Sequence, residues 1–140
     1  MKTPCIVIVA CLSLCFAFSD SWARSDTEEM AISVAQAWLT LVDSGDYSGS
    51  WKEASAYFRG GTTQEKWENT MEAFRMPLGN LISREVMQVE DLASLPGAPD
   101  GKYVLLRFMS SFEKKRSAVE TVTFMLDTDG KWRAVRYFIK

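Results

Sequence analysis

The spacing of apolar residues changes twice along the chain. Residues 5–18 form one unbroken, uncharged apolar run. From Ala31 the spacing becomes helical: Ala31, Val34, Ala35, Trp38, Leu41 and Val42 recur at three- and four-residue intervals, which puts them on one face. Ser25, with Glu28 three positions later, makes a capping box that starts this helix, and Gly45 suits the left-handed residue that ends it. A second, shorter helix is predicted from about Asp46, with Trp51, Ala54 and Phe58 facing inward and Gly60-Gly61 as its stop. A third opens on a capping box at Thr62-Thr63-Gln64-Glu65, carries Trp67, Met71 and Phe74 as its stripe, and is blocked at Pro77.

Beyond Asn80 the period falls to two. Leu81–Glu90 alternates weakly and predicts a first strand. Leu95-Pro96-Gly97-Ala98-Pro99-Asp100-Gly101 is turn-forming throughout. Lys102–Glu113 predicts a second strand, with Val104, Leu106 and Phe108 on one side and Tyr103, Leu105, Arg107 and Met109 on the other. A polar turn at Lys114-Lys115-Arg116-Ser117 leads to a third strand through Val119 to Asp127, and Trp132–Ile139 is the last. Asp127-Thr128-Asp129-Gly130 joins these two in either of two registers. A two-residue turn pairs Phe124 with Val135 and Val122 with Tyr137; a turn with a bulge pairs Leu126 with Trp132 and Phe124 with Ala134. A one-residue slip exchanges faces, so the register decides whether Arg136 or Tyr137 lies beside Phe124. Helices followed by a four-stranded antiparallel meander make an α+β fold, with helices on one face of the sheet and apolar residues half-covering the other.

The first apolar run has a different destiny. Lys2 precedes it, and Ser21-Trp22-Ala23 places small residues at the −3 and −1 positions of a cut after Ala23. This is the pattern of a cleavable signal peptide, shorter than a membrane span and closed by Asp20 and Arg24. Ala10-Cys11 resembles a lipobox, but the apolar run continues past Cys11 and Cys15 follows the bulky Leu14, which disfavours a lipoprotein. The expected organisation is a signal peptide over residues 1–23 and one domain over 24–140, exported to the periplasm with no stable membrane insertion after cleavage.

Composition then narrows the chemistry. Cys5, Cys11 and Cys15 all belong to the leader, so the exported domain has no thiol and depends on packing rather than disulfides. There is no histidine in the 140 residues. A Ser-His-Asp triad, a Cys-His pair and a zinc site of His or Cys ligands are therefore excluded, and no cofactor or metal is expected. Lys2 and Asp20 leave with the leader, so the net charge of −2 is unchanged by cleavage. A mildly acidic domain carries no footprint for nucleic acid.

Several groups of residues then resemble the bacterial family DUF4019, a domain of unknown function. They are Ala37-Trp38-Leu39, Asp43-Ser44-Gly45-Asp46-Tyr47 with Ser50-Trp51, Trp67, and Arg75-Met76-Pro77-Leu78-Gly79 with Arg84. Leu95 through Tyr103, Phe112, Glu120-Thr121-Val122-Thr123, Asp129-Gly130-Lys131-Trp132 and Tyr137-Phe138-Ile139 complete the set. Arg136 departs from the resemblance, which leads one to expect a small residue before the tyrosine. The resemblance implies export in Gram-negative bacteria and assigns no activity. The order of helices and strands is also similar to the NTF2-like or cystatin-like superfold, which implies a curved sheet.

Glu120 is the foremost candidate site residue, a carboxylate in phase with Val122, Phe124 and Leu126. It either edges a pocket or forms a structural ion pair with Arg84, Arg107 or Arg136. Arg75 and Arg84 flank the Pro77-Leu78-Gly79 elbow, where they either bind an anionic group or, for Arg75, pair with an acid and cap the third helix. Tyr103 and Tyr137 are the candidate hydroxyl donors beside Glu120. Trp38, Trp51, Trp67 and Trp132 sit among apolar residues and are expected in the core. Asp43-Ser44-Gly45-Asp46 lacks the spacing of a calcium loop and predicts a turn and helix cap, and Asp127 and Asp129 are hairpin residues. Two functions fit: a non-catalytic module binding a small ligand or an envelope protein, or a small isomerase- or hydrolase-type enzyme with Glu120 as base.

Overall fold

The computed structural model describes residues 25–140. The leader, its cleavage site and its three cysteines lie outside these residues. Four helices precede a four-stranded sheet: α1 Asp26–Asp43, α2 Tyr47–Glu53, α3 Ala56–Gly61 and α4 Gln64–Phe74, then β1 Leu81–Leu92, β2 Tyr103–Phe112, β3 Lys115–Leu126 and β4 Trp132–Ile139. The sheet is an antiparallel meander in the order β1-β2-β3-β4. The fold is α+β, as the pattern indicates. Among the described residues no helix is long and apolar enough to cross a membrane.

Each helix starts on a side-chain cap. Ser25, Asp46, Ser55 and Thr63 accept from the backbone N–H three residues later, which satisfies a donor that the helix itself leaves orphaned. Two of these starts differ from the sequence expectation. The predicted second helix is two, α2 and α3, because Ala54 and Ser55 are extended. Ser55 caps the new helix through its side chain, while its N–H donates to Ala134 O of β4 at 2.9 Å. The backbone leaves the helix there to tie the helical layer to the sheet. The cap of α4 is Thr63, one residue later than the capping box suggested.

One face of the sheet carries the core. Val104, Leu106 and Phe108 of β2, Val122 and Phe124 of β3, and Ala134 and Tyr137 of β4 pack against Ala35, Trp38, Leu39 and Val42 of α1 and against Trp67 and Met71 of α4. Each large side chain buried this way contributes about 1.5–3 kcal/mol. The buried stripe of α1 is rotated from the expected one: Ile32 and Leu39 are buried, whereas Val34 and Leu41 are half-exposed. Trp38 and Trp67 are buried and Trp51 and Trp132 half-buried against this core. Ser50 serves both buried indoles, its carbonyl accepting from Trp38 Nε1 and its Oγ from Trp67 Nε1, each at 2.9 Å.

The opposite face is partly covered by the β1–β2 connection, where Leu95 packs on Tyr103 and Val135. The β2–β3 turn is tighter than expected: Phe112 pairs with Lys115, so Lys115 already belongs to β3. The last hairpin combines both registers considered above. Leu126 faces Trp132 and Phe124 faces Ala134, then an irregularity shifts the register so that Thr123 faces Arg136 and Val122 faces Tyr137. A bulge at this point inserts one residue. It lets Ala134 and Tyr137 both reach the core while Val135 joins the cluster on the far side.

Candidate functional site

Glu120 lies on the core face of β3 with no exposed surface. Its neighbours across the strands set its environment: Phe108 on β2 and Ile139 on β4 are its direct partners, and Ser110 is two residues farther along β2. Arg84 Nε and Ser110 Oγ both donate to Glu120 Oε2 at 2.6 Å. Arg84 Nη2 and Tyr137 Oη donate to Oε1 at 3.0 and 2.7 Å. Two carboxylate oxygens offer about four acceptor positions, so these donors saturate the group.

Arg84 extends the network to α1. Its Nη1 and Nη2 donate to the two carboxylate oxygens of Asp43, at 2.8 and 3.0 Å. Arg75 Nη2 donates to the same Asp43 Oδ1 at 3.1 Å, and Arg75 Nη1 donates to Gly79 O at 2.7 Å. The guanidinium carbon of Arg75 lies 4.4 Å from the centroid of the Phe112 ring. Two arginines thus face two carboxylates in a chain running Arg75–Asp43–Arg84–Glu120. Asp43 stands at the C-terminus of α1, where the helix dipole disfavours an anion, and the two guanidinium groups offset that cost. Arg75 is only 2% exposed, and its Nε has no hydrogen-bond partner.

The electrostatics follow from this pairing. Burial pulls the Arg84 guanidinium down, but its hydrogen bonds to Asp43 and Glu120 and their charges outweigh that and raise it. Burial pushes the Tyr137 hydroxyl well above its ordinary value, with the nearby Glu120 charge adding to the effect. Tyr137 is thus held as a neutral donor to a carboxylate.

The structure brings Glu120, Arg84, Arg75 and Tyr137 together and leaves Tyr103 and Arg107 apart. Tyr103 is buried on the opposite face, and its hydroxyl donates to Pro99 O. Arg107 is exposed and donates to Gln88 Oε1 at 3.0 Å. Arg136 is exposed beside Pro96 O, away from Glu120. Arg75 does not use its guanidinium on the last carbonyls of α4, but reaches forward to the Gly79 carbonyl of the elbow. Sequence reasoning missed Asp43, placing it in a turn, and Ser110. The one signal for Ser110 was its phase with Val104, Leu106 and Phe108.

Asp46 caps α2 through Gly49 N at 2.8 Å. Asp127 and Asp129 both accept from Arg133, at 2.7 and 2.8 Å. No group of three or more potential metal ligands occurs among the described residues.

A separate cleft of about 380 Å³ opens between α4 and the end of β4. Trp67, Met71 and Phe74 of α4 and Tyr137, Phe138 and Ile139 of β4 form much of its wall, with Arg75 and Leu78 from the elbow. Tyr137 and Arg75 belong both to this wall and to the buried network, whereas Glu120 does not reach the cleft.

The family model of DUF4019, described as a protein of unknown function, matches residues 34–137. The chain belongs to this family. No curated protein matches it.

Proposed function

We propose that this DUF4019 protein is an exported, non-catalytic binding module that works in the periplasm after loss of residues 1–23. Its α4–β4 cleft would hold a small ligand or a segment of an envelope protein. The state of Glu120 carries this reading. A general base needs a free acceptor position within reach of substrate. Every acceptor position of Glu120 is filled by a protein donor, and the side chain has no exposed surface. Next to it lies an accessible concave surface, the α4–β4 cleft, of a size typical of small-molecule sites. Export is supported by the basic, apolar and small-residue parts of the leader.

Native mass spectrometry of the full-length gene product, purified from the periplasm, tests both parts. The expected protein mass begins at Arg24, with a small molecule retained. Thr70→Trp, placed in the cleft wall, should lose that molecule, whereas Glu120→Gln should keep it while melting at lower temperature. Absence of the protein from the periplasmic fraction would overturn export, and retention of residues 1–23 would overturn cleavage. A folded Glu120→Gln variant that turns over a bound compound more slowly than the wild type would overturn the non-catalytic role.

A further inference from the structure

The sheet face opposite the helices carries charges of opposite sign at its two edges. Strand alternation assigns each side chain to one face, and directly paired residues share it. From β1 to β4, one row across the outer face reads Glu85, Met109, Val119, Lys140. The next reads Gln88, Arg107, Thr121, Phe138, and the third Glu90, Leu105, Thr123, Arg136. β4 meets the α4–β4 cleft with Tyr137 and Ile139 and points Phe138 and Lys140 the other way, where the Lys140 ammonium lies 5.6 Å from the centre of the Phe138 ring. The first and third rows thus run from an acid on β1, through apolar or small residues, to a cation on β4.

These charges have no counterpart within one molecule. Neighbouring strands stand about 4.8 Å apart, so acid and cation of one row are separated by about 14 Å at the backbone. Glu85, Glu90, Arg136 and Lys140 make no ion pair among the described residues. The middle of the face is also unlike the polar outer side of a sheet that faces water. Met109 is 39% and Phe138 38% exposed, with Leu105 and Val119 half-buried beside them. Arg107 starts near the centre, but its guanidinium turns toward β1 and donates to Gln88 Oε1 at 3.0 Å.

A twofold axis parallel to the strands, between β2 and β3, matches these features to one another. It keeps each row level with its own copy and exchanges the edges. Glu85 then faces the partner's Lys140, Glu90 the partner's Arg136 and Met109 the partner's Val119. The Arg107 guanidinium, drawn to the β1 side, faces the partner's Phe138, a cation toward an aromatic ring. Packed sheets stand about 10 Å apart, a gap that a glutamate and a lysine or arginine close from opposite sides. An axis perpendicular to the strands would instead set β1 on β1 and acid on acid. The β1–β2 connection lies over Tyr103 and Val135 at one end of the face, so the two sheets meet as a wedge, closest at the Glu85 row.

We infer that two copies of this chain pair through the outer faces of their sheets as a twofold dimer, the acidic edge of each on the basic edge of the other. Such an interface must be complementary to itself, and this one is. It lies on the side of the sheet away from the α4–β4 cleft, so it goes beyond the binding role proposed above and does not depend on it. The patch is small for a permanent assembly, and the dimer forms in a concentration-dependent equilibrium.

The test is sedimentation equilibrium of the mature protein from micromolar to millimolar concentration. Monomer and dimer should both be present, with the dimer weakened by salt. Glu85→Lys and Lys140→Glu each turn two attractive pairs per dimer into repulsive ones, and each should weaken it roughly tenfold. The double variant restores both pairs with the signs exchanged and should return to within roughly threefold of the wild type. That recovery separates a lost contact from a lost fold, as both positions are exposed. Met109→Asp sets two acids beside the axis and should leave the protein monomeric. Lys131→Glu, the same charge change at the β3–β4 turn on the opposite end of the sheet, should leave the dimer unchanged. A wild type that is monomeric at millimolar concentration would overturn the inference. So would a dimer indifferent to the Glu85 and Lys140 reversals, or one weakened as much by Lys131→Glu. A double variant weaker than either single variant would overturn the Glu85–Lys140 pairing and the dimer built on it. Loss of the dimer in any of these ways leaves retention of a small molecule in the cleft untouched, so the two proposals fail separately.

Discussion

Four hydrogen bonds converge on Glu120 from three strands: two from Arg84 on β1, one from Ser110 on β2 and one from Tyr137 on β4. Replacing the carboxylate by an amide leaves one oxygen to accept and turns an N–H toward a donor. Removing one partner of a buried pair costs roughly 3–5 kcal/mol, because the other charge remains desolvated. Arg84 retains Asp43 in Glu120→Gln, so the expected loss is at the lower end, about 3 kcal/mol, or on the order of 10 °C in Tm. Tyr137→Phe removes a single charge-assisted bond and should cost about 1.5–2 kcal/mol. Urea unfolding of the two variants should show that order; equal losses would mean that Glu120 is not the centre of the network. Half of this network was legible. Strand alternation puts Glu120 in phase with Val122 and Phe124, and a buried carboxylate requires a cation. Asp43 was not legible, because its partners Arg75 and Arg84 lie 32 and 41 positions away and no local spacing marks them.

Among the elements, the elbow between α4 and β1 places two of the four network residues. Met76–Leu78 forms a single 3-10 turn containing Pro77, and Gly79 follows with φ 76° and ψ −160°. That backbone region is accessible essentially to glycine alone. A Cβ on Gly79 would also lie 2.5 Å from Glu113 Oε2, and Glu113 accepts from Asn80 N at 2.9 Å to hold the elbow to the β2–β3 turn. Gly79→Ala is therefore expected to cost about 2 kcal/mol, and to loosen Arg75, whose guanidinium donates to the Gly79 carbonyl. Gly45→Ala is the matched control, with φ 77° but open space around the added methyl, and should cost about 1 kcal/mol. Thermal unfolding of the pair checks this; identical losses would remove any role for the Glu113 contact. The elements themselves were legible where one signal dominated, as in the Trp132–Ile139 strand. They were not legible where tertiary contacts set the local choice. Ser55 breaks the helical segment because Ala134 O accepts its N–H. The β3–β4 bulge satisfies two registers because Ala134 and Tyr137 are buried on one side and Val135 on the other. Neither demand has a local sequence signature.

For the molecule as a whole, the absence of histidine from the sequence removes the side chain whose ordinary charge change falls between pH 5 and 8. Stability should therefore be flat through neutrality and limited at the two extremes. At the alkaline end Tyr137 is raised above the ordinary 10.0, by burial first and then by Glu120, and burial raises Tyr47 and Tyr103 as well. A raised acid favours the folded state while it is neutral. Its contribution is complete below pH 10.0 and declines above it, as the unfolded chain ionises and the folded one does not. At the acid end the Arg133 hydrogen bond lowers Asp129 from 3.8 to about 2. That contribution is complete above 3.8 and is lost as the pH falls toward 2. Each limb can be isolated by difference. The gap in urea midpoint between wild type and Asp129→Asn should be constant above pH 3.8 and shrink as the pH approaches 2. The gap to Tyr137→Phe should be constant below pH 10.0 and narrow above it, because the wild type alone carries the hydroxyl whose ionisation favours unfolding. A Tyr137→Phe gap that widens in alkali would reverse the sign and mean that the hydroxyl ionises more readily in the fold than outside it, which its place beside the Glu120 carboxylate opposes.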